Sequence, residues 1–158
     1  MIGGGEFGSF RDTKILDQEL IVRSAECSAL MPMMQFSVAP WRVLTPEQHA
    51  IVKKMVELRK HYTSYILELA HQAASTGEPI VRSMEYAFPN QGLVEEKGQF
   101  MLGTKYLIAP VTTKDKTKTV RLPKGKWKDD TGATFQGPKI VTIQVPLDRL
   151  PVYELITR

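Results

Sequence analysis

Several short stretches of this sequence carry residue types at spacings that could do chemistry. The first ten residues, MIGGGEFGSF, place Gly3, Gly5 and Gly8 in the order G-x-G-x-x-G. Such a loop cradles a dinucleotide when a strand leads into it and a helix N-terminus faces the pyrophosphate. Only Met1 and Ile2 precede Gly3, and Ser9-Phe10-Arg11-Asp12 continues as loop. The context therefore argues against a nucleotide site. Asp130-Thr131-Gly132-Ala133 is the D-T-G-A of an aspartic protease, an enzyme that pairs two aspartates over one proton. Here the polar run KWKDD leads into it instead of an apolar strand, so it reads as a hairpin turn with Gly132 at positive φ. His49, His61 and His71 share one helical segment, but none are three or four residues apart. They offer no helical metal pair, and no metal ligands are expected. No G-x-S-x-G nucleophile elbow is present either.

The run MQFSVAPWRVL is different. A short strand ends in a loop that holds Ser37, Trp41 and Arg42. A Trp face stacks on sugar rings, and an Arg fork donates to hydroxyl or carboxylate groups. Two readings stand side by side: a ligand surface, or a loop whose Trp41 caps the core beneath it.

These groups need elements to hold them. Residues 1–14 read as loop. Residues 17–31 have a helical pattern in which Leu16, Leu20, Cys27 and Leu30 share a face, and Pro32 stops it. Residues 33–37 have strand length. The clearest element follows. Thr45 is an N-cap, Pro46 suits the first helical position, and Ile51, Met55, Leu58, Tyr62, Tyr65, Leu69 and Ala73 recur every three or four residues until Gly77. Beyond Gly77 the pattern shortens. Residues 80–88, two pieces of 100–111, 118–122, 126–127, 134–135, 140–145 and 151–156 read as strands between Gly, Pro and Asp turns. The chain thus divides near residue 78 into a strand-and-helix part and an all-β part, the latter expected to be a sandwich.

Composition sets the outer bounds. The chain has 158 residues, 42% apolar and 24% charged, with a net charge of +4. That is the balance of a globular protein with a sizeable core. The lysines of 114–128 alternate with Thr and Pro, as on a solvated strand or turn edge, which argues against nucleic-acid binding. The single cysteine, Cys27, cannot form an intrachain disulfide and is expected to be a small core residue. No apolar run approaches the length of a membrane span, and no signal peptide is visible.

Taken in order, these segments resemble the C-terminal portion of a glycoside hydrolase family 31 enzyme. MIGGG resembles that family's Asp-x-Gly-Gly loop without its aspartate. ELIVRSAECSALMPMMQFS resembles the next helix and strand, where members read E-L-x-x-R-W-x-Q, then a proline and a strand. LRKHYTSYILELAHQAASTGEPIVRSMEYAFP resembles the last barrel helix and its exit. QFMLGTKYLIAPVT, VRLPKGKWKDDTG and PLDRLPVYEL resemble the β domain that follows the barrel. The run MPMMQFSVAPWRV is most similar to the branch that contains the myogenesis-regulating glycosidase. The resemblance implies the last strand and last two helices of a (β/α)8 barrel in residues 1–78, and a small antiparallel β-sandwich in 79–158. It implies a retaining α-glycosidase acting on a carbohydrate, an α-galactoside or α-glucoside, without a cofactor. It places both catalytic aspartates on earlier strands, so no residue here is expected to be catalytic, and Met1 is read as an internal methionine. Gly3, Gly4, Ser37, Trp41 and Arg42 are the expected substrate-side residues, with Ser37 near the place of a histidine found in many members. The long helix is expected to lie on strands that precede the chain. The alternative from another class is a non-enzymatic, sugar-binding or interaction-mediating β module with a helical arm.

Overall fold

A computed structural model describes Ile2 and residues 16–158. Helix α1 spans Gln18–Ala29, opened by the Asp17 side chain, which accepts from the Leu20 amide. It buries Ile21, Val22, Ala25 and Ala29, whereas Leu20 is 50% exposed and Cys27 half-buried. The expected face of α1 holds at its ends, where Leu16 packs against the core and Leu30 is buried, and is corrected at Leu20 and Cys27. The helix carries two apolar stripes, and the one that meets Val38, Val43 and Val52 is the one buried.

Helix α2 spans Pro46–Thr76 with the expected ends. The Thr45 side chain accepts from the Gln48 amide, and Gly77 closes the helix at φ 77°. An N-cap of this kind stabilises by about 1 kcal/mol. Helix α1 has no basic residue in its last turn, and a cation from α2 reaches it instead. The Arg59 guanidinium donates to the carbonyls of Ala29, Met31 and Pro32 at the end of α1. A cation at that point answers both the helix dipole and the orphan carbonyls. Arg59→Ala is expected to cost about 2–4 kcal/mol. Arg59→Lys should recover only part of that, because an ammonium lacks the planar fork. Urea denaturation with amide exchange at 29–33 measures both, and a neutral Arg59→Ala would refute the capping role.

After α2 the chain forms strand β1 (Val81–Arg82) and helix α3 (Met84–Ala87). Residues 80–88 are thus not one strand: the Ser83 hydroxyl accepts from the Tyr86 amide and starts a helical turn. Strands β2 (Phe100–Leu102) and β3 (Tyr106–Ile108) form the expected hairpin. Strand β4 (Thr117–Asp129) and strand β5 (Thr134–Gln144) merge four expected short strands into one long hairpin with an irregularity between Leu122 and Gly125. Strand β6 (Val152–Thr157) completes the order β1-β2-β3-β6-β4-β5, antiparallel throughout.

The expected sandwich of two sheets is therefore one six-stranded sheet. Only the end of β4, from Lys126 onward, pairs with β6. Its first half pairs with β5 alone, yet Val120 and Leu122 share a core with Met101, Leu107 and Trp127. The Gln99 side chain also bonds the Arg121 backbone through both its amide nitrogen and its oxygen. The sheet thus coils around its own core, to which α3 contributes Met84 and its C-cap Phe88.

Strand alternation divides the labour of the two faces. Met101, Leu107 and Tyr153 face that core. Their neighbours Leu102, Ile108 and Val152 face the helices, against Ala29, Leu30, Met55, Ile66 and Leu69. Much of the apolar face of α2 thus rests on the sheet, where it was expected to rest on strands preceding the chain.

Candidate functional site

The segment 35–37 is held by the chain's beginning. Ile2 and Phe36 form a parallel bridge. The Ile2 amide donates to the Gln35 carbonyl at 2.8 Å, and the Ser37 amide donates to the Ile2 carbonyl at 2.9 Å. The Ser37 hydroxyl donates to the same carbonyl at 2.9 Å. A parallel bridge between two residues with a helix between them in sequence is the pairing that a βαβ unit makes.

From Ser37 the chain turns through a 3-10 helix, Pro40–Arg42. Val38, Pro40 and Val43 are buried and anchor the loop from within. Its far end is tied to α1, because the Thr45 amide donates to the Gln18 side-chain oxygen at 2.9 Å. Trp41 is 70% exposed, and its ring stands 6.4 Å from that of His49 at a tilt. Trp41 therefore does not cap the core, and Pro40 and Val43 take that part. Arg42 is exposed beside it. Ser37, Trp41 and Arg42 thus lie on one short loop that follows the parallel bridge, while Gly3 and Gly4 lie outside the described residues. An exposed indole next to a guanidinium can stack on a sugar ring and donate to its hydroxyls.

Asp130 of the D-T-G-A stretch and Asp129 just before it do structural work. Asp129 Oδ1 accepts from the Thr131 amide, the Thr131 hydroxyl and the Ala133 amide at 2.9, 2.7 and 2.9 Å. Gly132 sits at φ 92° in the β4–β5 turn, as a hairpin requires. Asp130 receives a bidentate fork from Arg149 at 2.8 and 2.9 Å, which raises the Arg149 pKa further. Glu154 is paired with Lys105 at 2.9 Å. These carboxylates border a polar cleft of about 440 Å³ with His61 and Tyr62. Each of the three is held by a partner: Asp129 by its turn, Asp130 by Arg149 and Glu154 by Lys105.

One feature of α1 escaped the reading of the sequence. Arg23 and Glu26 are 7% and 1% exposed and meet at 2.9 Å. Arg23 also donates to the Val145 carbonyl, tying α1 to the loop after β5. The signal was present as an Arg and a Glu three apart inside an apolar stretch, a spacing that places them on one helix face.

Among the described residues, no helix is long and apolar enough to cross a membrane, and no group of three His, Cys, Asp or Glu could hold a metal ion.

Comparison with known proteins completes the picture. Residues 77–154 match the model of the glycosyl hydrolase family 31 C-terminal domain. The chain is 36% identical over 135 residues to the myogenesis-regulating glycosidase of Mus musculus, an alignment covering 84% of this chain and 19% of that protein. The cycloalternan-degrading enzyme from Trueperella pyogenes superposes with a TM-score of 0.79 at 29% identity, over 87% of this chain and 22% of the enzyme. A Flavobacterium johnsoniae GH31 dextranase, solved with glucose, gives a TM-score of 0.77 at 31% identity, over 87% of this chain and 18% of the other. The chain thus spans about a fifth of the length of these relatives. The small antiparallel sheet and its helices correspond to the C-terminal region of those enzymes. With the matched domain covering the sheet and the relatives covering the helices as well, the chain belongs to glycosyl hydrolase family 31.

Proposed function

We propose that this chain forms the C-terminal part of a retaining α-glycosidase: residues 1–78 the end of the catalytic (β/α)8 barrel, residues 79–158 the β domain packed after it. The observation that carries this reading is the parallel bridge between Ile2 and Phe36, with α1 between them and α2 following. That is the strand–helix–strand–helix order of a barrel's closing units. In such a barrel the loops after the strands face the substrate. Gly3 and Gly4 come directly after Ile2 in the sequence, and Ser37, Trp41 and Arg42 come after Phe36. The substrate is a carbohydrate, an α-glucoside or α-galactoside. Trp41 offers a stacking face, Arg42 hydrogen-bond donors, and Ser37 a hydroxyl already ordered by Ile2. The packing of α2 on the sheet favours this reading over a β module with a helical arm, because the helix is a shared core element and does not project.

Retaining hydrolysis needs two carboxyl groups about 5–5.5 Å apart, one as acid/base and one as nucleophile. The carboxylates of the polar cleft beside His61 and Tyr62 are spent on the β4–β5 turn, Arg149 and Lys105. The purified chain is therefore expected not to turn over nitrophenyl α-glucoside or α-galactoside. The same chain joined to upstream barrel sequence should do so, and Trp41→Ala in that longer protein should raise KM about tenfold. Turnover by the chain alone would overturn the assignment of chemistry to other strands. An unchanged KM would remove Trp41 from the substrate side.

A further inference from the structure

Strand β5 forms one margin of the sheet and pairs with β4 alone. Its residues 140–144 include neither a charge nor a proline, and Pro138 and Lys139 stand at one end of them only. Ile140, Thr142 and Gln144 are exposed, Ile140 at 61%. An uncharged edge of this length is a template for another strand. The opposite margin, β1, has two residues.

Two contacts show which backbone groups of β5 are free. The Val145 amide donates to the Lys116 carbonyl at 2.7 Å. Arg121, opposite Ile140, gives both its amide and its carbonyl to the Gln99 side chain and neither to β5. Opposed residues in an antiparallel ladder alternate between bonded and unbonded pairs. Val141 and Ile143 therefore bond to β4, while Ile140, Thr142 and Gln144 turn their N–H and C=O groups away from it. Among the described residues, one of those groups has a partner: the Gln144 carbonyl accepts from Arg149 at 3.2 Å.

We propose that this edge docks a second copy of the chain, antiparallel, about a two-fold axis through Val141. Ile140 of each copy then lies opposite Thr142 of the other, and each of these pairs exchanges both of its N–H···O bonds. At the next outward position Gln144 lies opposite Pro138. The proline has no N–H to give, and the Gln144 carbonyl that would receive it already holds Arg149. An axis through Thr142 would instead set the Ile140 amide in competition with Arg149 for that carbonyl. The side chains agree with the first register. Val141 meets Val141 in the closely spaced unbonded pair, and Lys139 meets Ile143, so no like charges are opposed. Each copy has one such edge, so the pairing closes at two. It uses nothing of the loop that carries Trp41 and stands apart from the glycosidase reading.

Sedimentation of the purified chain over about a hundredfold range of concentration should show a reversible monomer–dimer equilibrium and no larger species. Thr142→Pro removes one outward donor per copy without taking a bond from the ladder to β4, and should weaken the dimer about tenfold or more. Thr142→Ala keeps that donor and loses only the hydroxyl contact with Thr119 at 3.2 Å. It should leave the dimer within about twofold of the natural chain. Should the proline disturb folding, cysteine variants read the same register. With oxidised glutathione, Val141→Cys should give a dimer linked between the two introduced cysteines, and Thr142→Cys should not. Only a directly opposed unbonded pair brings Cα atoms to about 4.5 Å, within disulfide reach. Peptide mapping separates that link from one through Cys27. A chain that is monomeric at every concentration, assembly beyond two, equal dimerisation by Thr142→Pro and Thr142→Ala, or cross-linking that favours position 142 would overturn the proposal.

Discussion

Gly103→Ala is expected to destabilise the chain by about 3 kcal/mol or more, and Gly77→Ala by only about 1 kcal/mol. Both glycines sit in the left-handed region, at φ 58° and φ 77°. The backbone penalty for a side chain there is of order 1–2 kcal/mol at either site. What separates them is space. A Cβ at Gly77 meets nothing within 4 Å. A Cβ at Gly103 would overlap the Tyr65 hydroxyl and stand 2.6 Å from Leu69 Cδ2. The β2–β3 turn is thus the place where the sheet touches α2 backbone-first, and the Tyr65 hydroxyl also donates to the Leu102 carbonyl at 3.4 Å. The substitution should displace the Tyr65 and Leu69 side chains and loosen the seat of α2 on this turn. Urea denaturation gives the energies. Amide exchange should show protection lost first at 62–69 of α2 and 100–108 of the hairpin. Equal costs at the two glycines would mean that the helix is not seated on this turn.

The contrast bears on how much a sequence of this kind reveals. Helix α2 was legible because its signals are local: Thr45 and Pro46 at one end, Gly77 at the other, and an apolar residue every three or four between them. The β2–β3 hairpin was legible for the same reason, with Gly103 marking its turn. Helix α1 was legible as a helix but not in its orientation. Leu20 and Cys27 form as regular a stripe as Ile21, Ala25 and Ala29, and only Val38, Val43 and Val52, brought from elsewhere, decide which is buried. The single coiled sheet was hidden for a related reason. Lys118–Leu122 and Lys126–Trp127 look like separate strands across Pro123 and Gly125, and their union depends on pairing with β5 many residues away. In the candidate site, the residue types were readable at Ser37, Trp41 and Arg42. The hydrogen bond that fixes Ser37 was not, since it needs the parallel partner Ile2.

Glu26→Gln is expected to flatten the pH dependence of stability between about pH 4.5 and pH 8. Glu26 is 1% exposed, and its Oε1 has no partner. Burial pushes its pKa up from 4.5 to about 7, against the opposing pull of Arg23 and with smaller upward contributions from Asp148 and Glu19. Asp148 is itself paired with Lys54 on α2, at 2.9 Å. The folded carboxyl therefore holds its proton to higher pH than the unfolded one. Its contribution is fully present below the unfolded pKa and is lost as pH rises through the folded value. A shift of that size corresponds to about 3 kcal/mol of stability lost from pH 4.5 to pH 8. A glutamine side chain has no such proton to lose. It can still accept from Arg23, and its amide does not need to be desolvated as a charge. The difference in unfolding free energy, Glu26→Gln minus the natural chain, should thus grow by about 3 kcal/mol across this range, whatever its value at pH 4.5. Denaturation curves at five or six pH values measure the slope and avoid reliance on any one absolute stability. A parallel displacement of the two profiles would show that Glu26 ionises as an ordinary carboxylate, and that the Arg23–Glu26 pair within α1 is maintained without regard to pH.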